Sequence, residues 1–224
     1  EKERILMKNY SVETQCVQAG YEPKSGEPRV APIVQSTTYK YDDADQVAAL
    51  FDLSAVGHMY SRISNPTVEV LEKKLAVLEG GVGALGVASG QSANLFAIFT
   101  LCSAGDNFIC LSNLYGGTHT LFTSTLKRMG IEATILPCTI EPKEISKYVN
   151  SKTKLLFAET LGNPGVEVLD IEAFAKAAHD NKLAFVVDNT FATPYLCRPI
   201  EHGADIVTHS ATKYLDGHAT SLGG

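Results

Sequence analysis

Residues 184–190 read AFVVDNT, and residues 153–160, one element upstream, read TKLLFAET. Each is a short run with an apolar middle rich in aromatic or branched side chains, and each stops at polar residues. A strand that is apolar at every central position has both faces covered, which is the condition of a parallel strand inside an α/β sheet. The pattern repeats outward along the chain. ALGVAS (84–89), NFICLS (107–112), EATILPC (132–138) and ADIVTHS (204–210) are β-rich, and amphipathic stretches at 91–103, 118–129, 142–150 and 170–181 separate the runs. This alternation predicts an α/β fold, a mostly parallel sheet with helices on both faces.

Upstream of the alternation, Asn65 suits a helix N-cap and Pro66 the first helical position, with Val68, Leu71, Leu75 and Leu78 following at helical spacing. Gly80 and Gly81 end that helix. Residues 1–63 mix Pro, Gly and polar residues with little periodicity, so an extended arm is expected there and a larger domain over 64–224. The last strand is followed only by a turn and SLGG, with no helix to cover it; further chain beyond residue 224, including a small C-terminal domain, is therefore expected.

Composition narrows the chemistry. The 224 residues are 45% hydrophobic and 20% charged with a net charge of −6, enough apolar residue for a sizeable core. Mild acidity and the lack of a long Lys/Arg run leave no electrostatic footprint for nucleic acid or an anionic membrane, so small-molecule chemistry is the default. Five cysteines, at 16, 102, 110, 138 and 197, form no CxxC pair and leave an odd count. That argues against a disulfide framework and for reduced thiols in the cytoplasm. The opening EKERILMKNY is too short in apolar residues for a signal peptide, and no later run reaches the ~18 apolar residues of a membrane span. His202, His209 and His218 have spacings that fit neither a helix face nor a compact metal motif, so no metal is expected.

GVGALG (81–86) matches GxGxxG, but these glycines follow a helix and precede a β-rich run, the reverse of the strand–glycine–helix order that places a pyrophosphate on a helix N-terminus. A helix cap and a turn is the better reading.

In an open α/β sheet ligands bind beyond the carboxyl ends of the strands, and the polar residues of this chain gather there. Ser89, Gly90 and Gln91 open a helix whose free N–H groups suit a phosphate, although SGQ is also an ordinary cap. Tyr115 before Gly116 and Gly117 puts an aromatic ring where a flat ligand has room. Glu159, Asn163 and Pro164 follow one strand, and Asp188, Asn189 and Thr190 follow the next, with the Asp188 carboxylate half-buried and in need of partners. Ser210, Thr212 and Lys213 follow the last. A lysine there is a nucleophile for carbonyl groups, and the flanking hydroxyls can donate to a phosphate. One ligand uses a phosphate cradle, a stacking ring, a buried carboxylate and an amine together, and that ligand is pyridoxal 5'-phosphate.

HSATKYLDGH, VVDNTFATPYLCRPIEHGAD, YSRISNPT, ASGQSANL and LYGGTHTL together resemble the Cys/Met-metabolism family of pyridoxal-phosphate enzymes, which have the aspartate-aminotransferase-like fold type I. The resemblance runs from about Thr14 to Gly224. It implies that Lys213 bonds the cofactor aldehyde and shuttles protons, that Asp188 pairs with the pyridinium, and that Tyr115 stacks on the ring and assists proton transfer. It also implies phosphate binding by Gly90 and Gln91 with Ser210 and Thr212; Ser89, Glu159, Asn163 and Thr190, at the same strand ends, are further candidate cofactor-binding residues. Tyr60 and Arg62 are similar to a pair that reaches the neighbouring subunit's cofactor, which implies shared sites in a homodimer or homotetramer. ETLGNP and LYGGT resemble the branch that performs γ-replacement on O-acetyl-L-homoserine with sulfide or a small thiol. A γ-lyase or cystathionine γ-synthase of the same family is the alternative, and Gly117 stands where methionine γ-lyases usually carry a cysteine. A non-catalytic remnant is the third reading, for a chain truly this short.

Overall fold

The computed structural model describes residues 10–224. The first nine residues, on which the expectation of no signal peptide and the start of the expected arm fall, lie outside the described residues. The chain forms two compact units, one through Gly86 and the other Val87–Gly224.

In the first unit the segment expected to be extended carries two short helices. Helix α1, Val12–Gln18, is capped by Ser11, whose hydroxyl accepts from Thr14 N–H, and α2, Ala44–Phe51, by Asp43, which accepts from Gln46 N–H at 2.8 Å. Local capping by Ser and Asp starts these helices without any long periodic stretch. Helix α3, Pro66–Glu79, follows the sequence reading closely. The Asn65 side chain accepts from Thr67 N–H at 2.9 Å, Pro66 fills the first turn, and Gly80 closes the helix with φ +75°. Gly20, at φ +92°, passes so near α3 that a Cβ would stand 2.3 Å from the Val70 carbonyl oxygen. A glycine is required there both by the left-handed backbone and by the close approach.

The second unit holds a five-stranded sheet, entirely parallel, in the order β2-β1-β3-β4-β5. The strands are β1 Asn107–Leu111, β2 Glu132–Leu136, β3 Thr153–Glu159, β4 Ala184–Asp188 and β5 Ile206–Thr208. Side-chain alternation divides the core in two. Ile109, Leu156, Phe185 and Val187 pack on one face with helix α6, Ile171–Asp180, and with Ile145 of the 3-10 turn Pro142–Tyr148. Phe108, Leu155, Phe157 and Val186 pack on the other with Ile98 of α4, Gly90–Leu101, and with helix α5. Helix α5 joins the α-helical Gly116–Thr120 and Leu126–Arg128 through a π-wound middle, Leu121–Thr125. There Phe122 meets Phe108 and Phe157 edge-on, both at 4.9 Å between ring centroids. The layers are those of the predicted fold, helices on both faces of a parallel sheet.

The expected strand at ALGVAS does not form. Val87 exchanges two backbone hydrogen bonds with Gly224, at 2.8 and 2.9 Å, and this single residue pair makes no ladder. The expected helix at 142–150 is 3-10 wound. Among the described residues no helix is long and apolar enough to cross a membrane, and none of the five cysteines joins a disulfide.

Candidate cofactor site at the strand ends

The chain runs from β1 outward to β2 and then returns to β3 on the other side of β1, so the winding reverses between β1 and β3. Crevices at such reversals are where α/β sheets bind ligands. The backbone N–H of Tyr115, in the loop after β1, donates across this reversal to Glu159 Oε1 at the end of β3, 2.7 Å away.

Asp188 ends β4. Its Oδ1 accepts from the N–H of Thr190 at 3.0 Å and from the Thr190 hydroxyl at 2.5 Å, and its Oδ2 accepts from Asn94 Nδ2 at 3.1 Å. The Thr190 hydroxyl in turn accepts from the Ser210 N–H at 2.8 Å, joining the ends of β4 and β5. Thus Asp188, Thr190 and Ser210 form one connected group.

Ser89 caps α4, its hydroxyl accepting from Ser92 N–H at 3.1 Å. The next two N–H groups, of Gly90 and Gln91, have no acceptor among the described residues. Gly90 lies against Ser210, where a Cβ would fall 2.6 Å from Ser210 Cβ and 2.7 Å from its Cα. Only a glycine lets the helix start and the β5 loop come together, and they do so with two donors left over at the positive end of a helix dipole.

Burial pushes the Glu159 carboxyl up to about 8, the nearby Asp188 charge adds to the rise, and the Tyr115 N–H opposes it. The Tyr115 ring is half exposed and lies beside Gly117, where a Cβ would come within 2.6 Å of the ring. Lys213 is exposed on the turn after β5; its N–H donates to the Ser210 carbonyl and its carbonyl accepts from Gly217 N–H. Thr212 hydrogen-bonds Gly223 through its hydroxyl, which accepts from the Gly223 N–H at 3.1 Å. Asn163 sits in the loop after β3, half-buried and joined to Pro164 by a cis peptide, outside the Asp188 group. Tyr60 and Arg62 belong to the first unit, the guanidinium standing 5.2 Å from the centre of the tyrosine ring as a cation–π pair.

Sequence reasoning passed over Asn94, Thr118 and Thr208. All three are buried. Asn94 Oδ1 accepts from the Thr208 hydroxyl at 2.6 Å, and the Thr118 hydroxyl accepts from both Gln91 Nε2 at 3.0 Å and Asn94 Nδ2 at 3.4 Å. The signal was present: Gly90, Asn94 and Ile98 are the buried stripe of α4, and an asparagine in the middle of such a stripe needs polar partners.

The carboxyl rim of this parallel sheet thus gathers helix-start donors, the buried Glu159, the half-buried Asp188 and an exposed lysine. The chain belongs to the family of Cys/Met metabolism PLP-dependent enzymes, whose pattern matches residues 13–224. It is 44% identical to O-acetyl-L-homoserine sulfhydrylase of Leptospira meyeri over 98% of this chain and 50% of that protein. A solved Campylobacter jejuni protein, described as an O-acetylhomoserine (thiol)-lyase and carrying N'-pyridoxyl-lysine-5'-monophosphate, superposes with TM-score 0.92 at 40% identity, over 96% of this chain and 53% of that one. A cystathionine gamma-lyase of Lactobacillus plantarum, complexed with L-serine, superposes with TM-score 0.87 at 33% identity over 96% and 54%. The chain spans about half the length of the relatives it matches.

Proposed function

We propose that this chain binds pyridoxal 5'-phosphate and performs γ-replacement on O-acetyl-L-homoserine with sulfide or a small thiol, releasing acetate and giving homocysteine or methionine. One observation carries the reading: an Asp188 carboxylate fixed by Asn94 and Thr190 is linked through Ser210 to a helix start that offers two unused N–H donors. A flat ligand with a ring nitrogen at one end and a phosphate at the other matches that pair of features.

When bound, the cofactor supplies an electron sink for the negative charge left at the substrate's Cα and Cβ. The chain's own residues do the rest. The N–H groups of Gly90 and Gln91, and the hydroxyls of Ser210 and Thr212, bind the phosphate. Asp188 holds a proton on the ring nitrogen, and Thr190 and Asn94 orient that carboxylate. The Tyr115 ring covers one face of the ligand, with room left by Gly117. The Lys213 amine takes the proton from Cα and returns it, a general acid/base role. Ser89 supports the helix start, while Glu159 and Asn163 stand at the β3 end of the site.

The proposal extends to assembly. Tyr60 and Arg62, held together as a cation–π pair, reach the phosphate bound by a neighbouring subunit, so that the 1–63 arm contributes to that subunit's site and 64–224 is the cofactor-binding domain, in a cytoplasmic homodimer or homotetramer. Mixing inactive Arg62→Ala and Lys213→Ala proteins tests this: activity regained on mixing supports shared sites, and none regained sinks them.

The similarity to a cystathionine gamma-lyase keeps one second reading, γ-elimination. The full-length gene product, with pyridoxal phosphate and O-acetylhomoserine, is assayed with and without sulfide and the products identified by mass spectrometry. Homocysteine formed only with sulfide supports replacement. Dominant 2-oxobutyrate in both tubes establishes elimination instead.

A further inference from the structure

We propose that Asn94 is a positioning residue that selects Asp188 Oδ2 as the oxygen facing the cofactor ring; this rests on the reading of Asp188 as the partner of the ring nitrogen. A carboxylate has about four lone-pair sites, two on each oxygen. Oδ1 uses both of its own on the N–H and hydroxyl of Thr190. Oδ2 takes one donor, Asn94 Nδ2, and keeps a lone pair open. Asn94 therefore grips the one oxygen with capacity left for a ring N–H.

The amide is not free to turn. The Thr208 hydroxyl donates to Asn94 Oδ1 at 2.6 Å, and the Thr118 hydroxyl, accepting at 3.4 Å, engages the other end. A turned amide would point its carbonyl at the carboxylate and its NH2 at Thr208, losing the charge-assisted bond. Asn94 is 1% exposed and Thr208 5%, so no water stands in for a lost partner without rearrangement. Hydrogen bonds to charged groups are the stronger ones, on the order of 1.5–3 kcal/mol, which is about tenfold or more in binding.

The test uses the full-length protein and pyridoxal phosphate. The apo form is titrated with cofactor, and the ratio of visible to near-ultraviolet absorbance of the bound cofactor is read at neutral pH. Asn94→Asp keeps the shape but replaces the donor with an acceptor; a loss of about tenfold or more in cofactor affinity, with a changed absorbance ratio, is expected. Thr208→Val is expected to move both readouts in the same direction by less, and Thr208→Ser, which keeps the hydroxyl, to restore them. A merely structural asparagine would lower melting temperature without changing the absorbance ratio. If Asn94→Asp does not fold, the Thr208 pair decides alone. Wild-type affinity and absorbance in Asn94→Asp, or in Thr208→Val, overturn the inference while leaving cofactor binding intact. Failure of the wild-type protein to take up pyridoxal phosphate overturns both this inference and the reading beneath it.

Discussion

Glu159 and Asp188 stand opposite each other in register at the ends of β3 and β4 and leave the same face of the sheet, yet their surroundings differ. Asp188 accepts three hydrogen bonds, whereas the Glu159 side chain accepts one, from Tyr115, and is 7% exposed. Burial pushes the Glu159 carboxyl up to about 8, so it holds its proton well above the ordinary carboxylate range.

The stability of the apo protein should carry the mark of that proton. The folded-state value of about 8 lies above the ordinary 4.5, so between those limits the folded chain binds more protons than the unfolded one. The Glu159 contribution is fully present below about pH 4.5 and is lost as pH rises through about 8. Melting curves from pH 5 to 9 should show a decline that Glu159→Gln flattens. Parallel declines in the two proteins would refute the assignment.

If Lys213 has the proposed role, Lys213→Ala should lower turnover by about two to four orders of magnitude, the usual range for loss of a positioned acid/base group, and leave no covalent link to cofactor. Mass spectrometry after borohydride reduction checks the second effect, since only a lysine-bound cofactor adds its mass to the chain.

Gly90→Ala should both destabilise the protein and weaken cofactor binding. Its Cβ meets Ser210 backbone and Cβ at 2.7 and 2.6 Å, a clash that a flexible side-chain tip cannot relieve. Overpacking of this kind costs about 1–3 kcal/mol. Denaturant titration reads the first effect and cofactor titration the second.

Cysteine chemistry should split by position. Burial pushes the Cys110 thiol up to about 12 and, with help from Asp106, the Cys102 thiol up to about 11, so neither forms thiolate at neutral pH. Exposed Cys16 should be alkylated by iodoacetamide in native protein well before these two, whose modification should await unfolding; peptide mapping gives the order.

The strands and caps were legible because each is a local signal: apolar runs ending in polar residues, Asn65 before Pro66, glycine after a helix. The strand ends were legible for the same reason, and Glu159, Asp188 and Ser210 fall where the alternation placed them. What escaped depends on partners far along the chain. Nothing near Asn94 announces Asp188, which is 94 residues away, or Thr208, which is 114 away. ALGVAS looks like a strand because its residues favour one, but strand formation needs a neighbour, and only Gly224 pairs with Val87. The two helices in the expected arm are too short to show a period, and only their caps betray them.

The π-wound stretch of α5 has a consequence for how this chain tolerates changes in length. Thr118, Phe122 and Leu126 are all fully buried, at steps of four. An ordinary α-helix drifts away from a four-residue step, while the wider π turn, with its i→i+5 bonds, keeps such a row straight. The helix is therefore a ruler with a fixed count: one end sets the hydroxyl that Asn94 and Gln91 share, and the other sets the phenyl ring wedged between Phe108 and Phe157. Removing Leu121, the one residue of the π turn between them, would leave Thr118 and Phe122 chemically unchanged and still pull the two out of step, so that either the aromatic core or the polar network, but not both, finds its partners.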